Sequence, residues 1–147
     1  MHDCFDVLLS HAGTIPRHLL ASELTGFGKP TLRDQIAHVL TNELAWVRGL
    51  QSLPIQRVEA AALSTVEAAV GEQKRIAQAT IKYLHELGEQ ELNTEFHGRM
   101  EEWPGPPRSP AFILLHVVTH FFHHKGQIVA MMRLLGYPAP DTDMQRG

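Results

Sequence analysis

Cysteine is almost absent from this 147-residue chain, in which Cys4 is the only one. A single cysteine excludes an internal disulfide and a cysteine-based zinc site, and it is compatible with a reducing cytosol. A strong excess of charge is also missing, because 13 lysines and arginines oppose 16 aspartates and glutamates, giving a formal net charge of −3. No basic cluster alternates with aromatic residues, so we expect no nucleic-acid partner.

Long apolar runs and a targeting leader are missing as well. Histidines interrupt the longest apolar stretches well before the roughly 20 residues that a membrane span needs. The N-terminus has no basic region followed by an apolar run and a cleavage site. The sequence therefore predicts a soluble cytoplasmic protein with no membrane partner, and its length predicts one domain over residues 1–147.

The stretch from Ser109 to Gly136 has the signals of one long helix. Ser109 suits the N-cap, Pro110 suits the first helical position, and Gly136 suits the C-terminal cap. The helix is apolar on nearly every side, which indicates that it is buried. It also contains four histidines, which are His116, His120, His123 and His124.

Three of these histidines recur at every fourth position and form one stripe, because four residues advance a helix by about 400°. Imidazoles at i and i+4 can bind one ion, and neutral imidazole suits Zn, Ni, Cu and Fe. The alternative is a polar seam in which the imidazoles bond to one another, to the backbone or to water. Spacing alone does not choose between the His116/His120 and His120/His124 pairs.

Three more helical segments precede this helix, over residues 3–24, 31–52 and 64–88. Pro16 predicts a kink or break in the first, near residues 12–14, because proline removes a helical hydrogen bond. Ser64 and Glu67 match a capping box at the start of the third. Residues 92–108 have no helical period and form a long connection. Four helices in a chain of this length predict an all-α four-helix bundle.

The metal sites that such a bundle offers differ in their ligands. No glutamate is followed three residues later by histidine, which excludes the carboxylate-bridged di-iron site of ferritin-like bundles. A mononuclear, histidine-rich site remains. His38 lies at the edge of the second helix's apolar face, where a lone histidine is more often a core or boundary residue than a ligand. His11 and His18, seven residues apart, fit surface or rim positions.

Two segments resemble the DinB/YfiT-like family. The second helix, LRDQIAHVLTNELAWVRGL, is similar to a family helix with one histidine followed eight residues later by an aromatic, here His38 and Trp46. The fourth helix is similar to a motif of two histidines four apart, followed by a basic residue, glycine and glutamine. In this chain the motif is His120, His124, Lys125, Gly126 and Gln127. The tail MRLLGYPAPDTD also resembles the family's end.

The resemblance implies a four-helix bundle of the DinB/YfiT-like type that binds one divalent transition metal, with Zn or Ni preferred. The ligands it implies are His38, His120 and His124, with open positions for water or substrate. His116 and Gln127 become candidates for orienting an imidazole or a bound water. Family members of known activity resemble thiol-dependent S-transferases or isomerases.

The function that follows from the resemblance is a metal-dependent hydrolase or a thiol-dependent S-transferase, acting on a small molecule with a low-molecular-weight thiol as a second partner. One alternative is a non-catalytic, stress-associated metal-binding homodimer, which the very apolar fourth helix favours. Another is a metal-free bundle with a polar histidine seam. Glu43 and Asp34 are the acidic residues nearest His38, but a solvated helix face explains them equally well. No catalytic residue is assigned, and His123 is expected to be packed or at an interface.

Overall fold

The computed structural model describes residues 1–95, 108–139 and 141–143, and within these ranges the chain forms helices and no strand. The predicted all-α fold is confirmed. The α-helices are α1 (His2–Ala12), α2 (Arg17–Leu20), α3 (Leu32–Leu50), α4 (Val66–Glu86), α5 (Glu89–Asn93) and α6 (Pro110–Leu134), and Ala60–Ala62 forms one turn of 3-10 helix.

Four of these helices, α1, α3, α4 and α6, make the bundle. Helix α3 packs against both α6 and α4, and α1 packs against α4. The rings of Phe5 and Phe121 lie 5.3 Å apart and join α1 to α6. Both rings are fully buried, together with a cluster of aliphatic side chains that includes Leu8, Leu40, Ile76 and Ile128. The core therefore lies between all four helices.

The long helices run in two directions. Residues from the first turns of α3 and α4 line one small cavity, and residues from the last turns of both helices line another with Pro110 of α6. Helices α3 and α4 are therefore parallel to each other, and α6 is antiparallel to both. The segment that connects the end of α3 to the start of α4 runs back along α3. There the backbone N–H of Val58 donates to Thr41 Oγ1 (2.9 Å).

The first predicted helix is two helices in the structure. Helix α1 ends at Ala12 and α2 begins only at Arg17, so the proline produces a complete break. His11 and His18 consequently belong to different helices rather than to one face. The Nε2 of His11 donates to the carbonyl of Tyr137 (3.2 Å), which ties the end of α1 to the segment after α6.

Side-chain caps fix where the long helices begin. The hydroxyls of Thr31 and Ser109 each accept from the backbone N–H three residues later, as their positions predict. The N-cap of α4 is Thr65 and not the expected Ser64, because Thr65 Oγ1 accepts the N–H of Ala68 (3.2 Å). After α6 the chain turns at a glycine with φ +87°, a conformation in which other residues are strained.

The remaining segments are short. Helix α5 packs against α6 and overlaps the stretch expected to be an irregular connection, residues 92–108, only at its first two residues. Residues 96–107 of that stretch lie outside the described part of the chain. Lys125 donates to the carbonyl of Thr142 (3.0 Å), which holds the segment 141–143 against α6. In the described residues, no helix has both the length and the apolar character of a membrane span.

Candidate metal centre

Three histidines meet where α3 and α6 cross the middle of the bundle. The ring of His38, from α3, lies 4.9 Å from the ring of His120 and 4.5 Å from that of His124. The rings of the two α6 histidines are 4.4 Å apart. One ring nitrogen from each residue lies within 4.8 Å of the others. This separation lets a single ion lie between them.

The geometry follows from the two helices that carry the three histidines. Residues four apart lie one turn above each other on the same face, so His120 and His124 point the same way from α6. Antiparallel packing of α3 against that face brings His38 to both. His124 is only 9% exposed, and the other two histidines are partly buried. The three imidazoles therefore lie at the boundary between the core and the solvent, with His124 the most buried.

Burial keeps these imidazoles neutral. Desolvation is the main cause that lowers the pKa of His120 to about 3, and the neighbouring histidines lower it further. The pKa of His124 falls to about 4 because of burial and then because of His38, His123 and Lys29. Burial and Lys29 also lower the pKa of His38. Neutral imidazole is the protonation state that binds transition metals.

An unsatisfied nitrogen indicates that the site suits a metal. The Nδ1 of His120 is buried, and no described residue hydrogen-bonds to it. Buried polar groups are nearly always paired in folded proteins, so an unpaired one needs an explanation. An ion or a water held by the three histidines supplies the partner that the chain itself does not. The three imidazoles thus fit a divalent transition metal in donor type, protonation and position.

Gln35 orients His124. Its Oε1 lies 2.8 Å from Nδ1 of His124, and its Nε2 donates to the carbonyl of Lys29 (3.3 Å) and to Oε1 of Gln127 (2.6 Å). A backbone carbonyl can only accept, so the bond to Lys29 fixes which end of the Gln35 amide faces His124. His124 must then donate from Nδ1, which leaves Nε2 with the lone pair that a metal needs.

Gln127 is connected to His124 through Gln35, and its side chain also opposes the lowering of the His124 pKa. Its Oε1 accepts from Gln35, and its Nε2 donates to Nε2 of His123 (2.9 Å). His123 is exposed, and its ring meets the edge of His124 at 4.8 Å. Two glutamines and His123 thus form a hydrogen-bonded chain that ends on His124. Gln127 thus lies next to the histidine cluster, and its expected role in orienting an imidazole stays a prediction.

His116 lies beside the site on the side opposite the glutamines. Its ring is 5.8 Å from that of His120 and 5.1 Å from that of Trp46, with the indole and imidazole nearly perpendicular. The family motif placed His38 and Trp46 eight residues apart on α3. In the structure Trp46 lies about two turns after His38 on α3, and this places its ring against His116 of α6. His116 therefore extends the imidazole cluster without belonging to the group of three.

The acidic residues near His38 in sequence are occupied elsewhere. Glu43 is 3% exposed, and its Oε1 accepts from Nε2 of His2 (2.7 Å) and from the hydroxyl of Thr80 (2.7 Å). Asp34 accepts from the hydroxyl of Thr31 (2.7 Å) at the start of α3. Within the described residues, no carboxylate belongs to the three-histidine group. Neither Glu43 nor Asp34 is placed to act as a base on it.

Sequence reasoning overlooked Gln35 and Lys29. Gln35 precedes His38 by three residues, which puts both on one side of α3, and a glutamine inside an apolar stripe was the available signal. Lys29 lies in the turn before α3 and reaches the site through its carbonyl and its positive charge. No periodicity marks a turn residue of this kind.

Comparisons with known proteins place the chain in a family. The model of the DinB family matches residues 6–147. A crystal structure of a DinB-like protein from Bacillus cereus is similar in fold, with a TM-score of 0.71 and 18% identity over 94% of this chain and 89% of that chain. No curated protein sequence matches significantly.

Proposed function

Because the chain belongs to the DinB family, we propose that His38, His120 and His124 hold one divalent transition metal and that the metal serves catalysis. The observation that supports this most directly is the convergence of three neutral imidazoles on one point, with one of their nitrogens buried and unpaired. Zn and Ni are the preferred ions because three imidazoles suit both. Three protein ligands are typical of catalytic rather than structural zinc sites.

His38, His120 and His124 would hold a divalent ion that, when bound, would lower the pKa of a water or thiol and provide a nucleophile near neutral pH. The protein's own residues prepare for this. Gln35 keeps His124 in the tautomer that presents Nε2, and burial keeps all three imidazoles unprotonated. Among the residues that the structure describes, no carboxylate joins the group, and we propose that a fourth position on the ion would be taken by water or substrate. We therefore propose hydrolysis or thiol-dependent S-transfer on a small molecule, with a low-molecular-weight thiol as cosubstrate in the second case.

The first experiment is elemental analysis of protein purified without chelator or a histidine-rich tag. About one equivalent of metal per chain is expected, and the variants His38→Ala, His120→Ala and His124→Ala should each lose it. His85→Ala is the matched control, because His85 is exposed on α4 and outside the cluster. Metal-free protein that also refuses added Zn, Ni, Mn and Fe would refute the metal site.

Catalysis is tested separately on metal-loaded protein. A panel of activated esters, amides and electrophiles is assayed with and without low-molecular-weight thiols. The same panel is run on the His38→Ala variant and on the His85→Ala control. Turnover that requires the metal and His38 would support the enzyme, and a thiol requirement would favour S-transfer. Stoichiometric metal without turnover on any substrate would favour the second candidate function below.

The second candidate is a non-catalytic metal-binding homodimer, and the exposed apolar side chains of α6 favour it. Phe112 is 52% exposed and Leu115 is 61% exposed, on a helix whose other side is core. Large apolar groups at the surface often mark an interface. Light scattering on the native protein and on Phe112→Glu tests it: a dimer that becomes a monomer supports a partner copy on α6, and a native monomer excludes it.

A further inference from the structure

A cavity of about 520 Å³ lies at the end of the bundle where α3 and α4 begin, away from the histidine cluster. It is bordered by Arg17 and His18 of α2, Arg33 of α3, and Ser64 just before α4. Arg33 precedes His38 by five residues and so points about 140° away from it around α3. The cavity and the candidate metal centre are therefore on different sides of the same helix.

The two arginines at this cavity have no carboxylate partner in the described part of the chain. Arg33 is partly buried, and its Nε is fully buried without a hydrogen-bond acceptor. The nearby carboxylates are engaged elsewhere: Asp34 bonds the Thr31 hydroxyl, and Glu67 is exposed and bonded to Thr65. A guanidinium whose buried donor lacks an acceptor is costly unless something supplies one.

The surroundings of the cavity favour an anion, rather than water, as the hydrogen-bond acceptor for the buried Nε of Arg33. Arginines present several N–H groups in a planar fork that fits phosphate and carboxylate. Ser64 contributes a hydroxyl at the rim and directly precedes the Thr65 cap of the 21-residue helix α4, whose positive end therefore lies beside the cavity. Leu20, Ala21 and Leu63 also line this same cavity, and both leucines are buried. The cavity therefore has arginines on one part of its lining and an apolar wall on another.

From this arrangement we propose that the cavity between α2, α3 and the start of α4 binds a small phosphorylated molecule through Arg17, Arg33 and Ser64. His18, at the mouth, contacts the same anionic group. The phosphate takes the position facing the arginines, and the apolar wall beside Arg33 receives the organic part. This site does not depend on metal binding by the three histidines.

The test is calorimetric titration of the full chain with inorganic phosphate and with pyrophosphate. Saturable binding at one site per chain is expected. Arg17→Ala and Arg33→Gln should each weaken it by about tenfold or more, because each removes charge-assisted hydrogen bonds. Arg75→Ala is the matched control, since it removes an equal charge from an exposed Arg75–Glu72 pair on α4, and it should leave the affinity unchanged. Arg17 is exposed, so its variant is expected to fold.

His38→Ala separates this site from the metal centre, because it should retain phosphate binding. Arg33→Lys keeps the charge and most of the stem, and intermediate affinity is expected. The proposal is overturned if neither anion binds saturably, or if Arg75→Ala weakens binding as much as Arg17→Ala does. It is also overturned if His38→Ala abolishes binding while Arg17→Ala preserves it, since the anion would then bind at the histidines.

Discussion

Gln35 and His124 lie 89 positions apart in the chain, yet the amide oxygen of the first is 2.8 Å from Nδ1 of the second. This bond joins α3 to α6 at the candidate metal centre and decides which imidazole nitrogen is free. Hydrogen bonds of this kind fix the tautomer and orientation of metal-binding histidines.

Gln35→Met should weaken metal binding by roughly 10–100-fold, because methionine keeps the shape of the side chain but cannot accept from His124. Zinc affinity is measured by competition with a chromophoric chelator. Gln73→Met is the matched control: Gln73 is also buried, but on α4 and outside the site, so zinc affinity should stay the same. Equal zinc affinity in Gln35→Met and the native protein would contradict the orienting role.

Acid should destabilise the metal-free protein below about pH 6.5. The pKa of His120 is lowered to about 3 and that of His124 to about 4, whereas a histidine in the unfolded chain has a pKa of about 6.5. The unfolded chain therefore binds more protons across this interval, so the free energy of unfolding falls as pH drops from about 6.5 to about 3. Above about 6.5 these two histidines make no pH-dependent contribution.

Urea unfolding at a series of pH values, with chelator present, measures this dependence. His120→Leu removes one of the three histidines whose pKa is lowered, and it should flatten the curve between about pH 6.5 and 3. His85→Leu, an exposed position, should leave its slope unchanged. A stability curve for His120→Leu that falls as steeply as that of the native protein would show that His120 does not lose its proton on folding.

Glu43 should matter for stability and not for metal binding. It is buried, and it accepts from His2 and Thr80, so it joins α1, α3 and α4. Glu43→Ala removes the acceptor of the partly exposed His2 and leaves the Thr80 hydroxyl with only the Ile76 carbonyl (3.1 Å), so it should lower the free energy of unfolding by about 1–3 kcal/mol. Glu72→Ala breaks an exposed pair and should change it by less than about 1 kcal/mol. Metal content should be one equivalent in both variants, and its loss in Glu43→Ala would contradict the separation of Glu43 from the site.

The hydroxyl at the start of α4 offers a test of which residue caps the helix. Thr65→Ala should lower the free energy of unfolding by about 1 kcal/mol, because it leaves the N–H of Ala68 without its acceptor. Ser64→Ala should have almost no effect on stability. Thermal unfolding of the two variants distinguishes them, and a larger loss for Ser64→Ala would restore the capping assignment that the sequence suggested.

Local sequence signals predicted the helices well because helix ends and apolar stripes are local properties. Thr31, Ser109 and Gly136 mark boundaries that the structure reproduces to within two residues. The choice between Ser64 and Thr65 failed because adjacent hydroxyls look equivalent until the backbone conformation selects one. Pro16 predicted a kink or a break near residues 12–14, and the structure has the break, with no helix from Gly13 to Pro16.

The candidate site was only partly visible in the sequence. The spacing of the histidines on α6 predicted a histidine stripe. The family resemblance then selected the pair His120 and His124 and added His38. The structure brings these three together, and metal binding by them stays a prediction. Gln35 and the arginine-lined cavity depend on how helices distant in sequence pack, so periodicity within one helix cannot reveal them.

The distribution of the three histidines has a consequence for assembly of the fold. His120 and His124 are presented by one helix, so even a partly folded α6 can offer a metal two of its three ligands. His38 joins them only once α3 has docked in the correct register. If the proposed metal binds, its affinity should therefore depend on helix docking: a mutation far from the histidines that shifts α3 along α6 should lower the metal affinity while leaving the helical content intact.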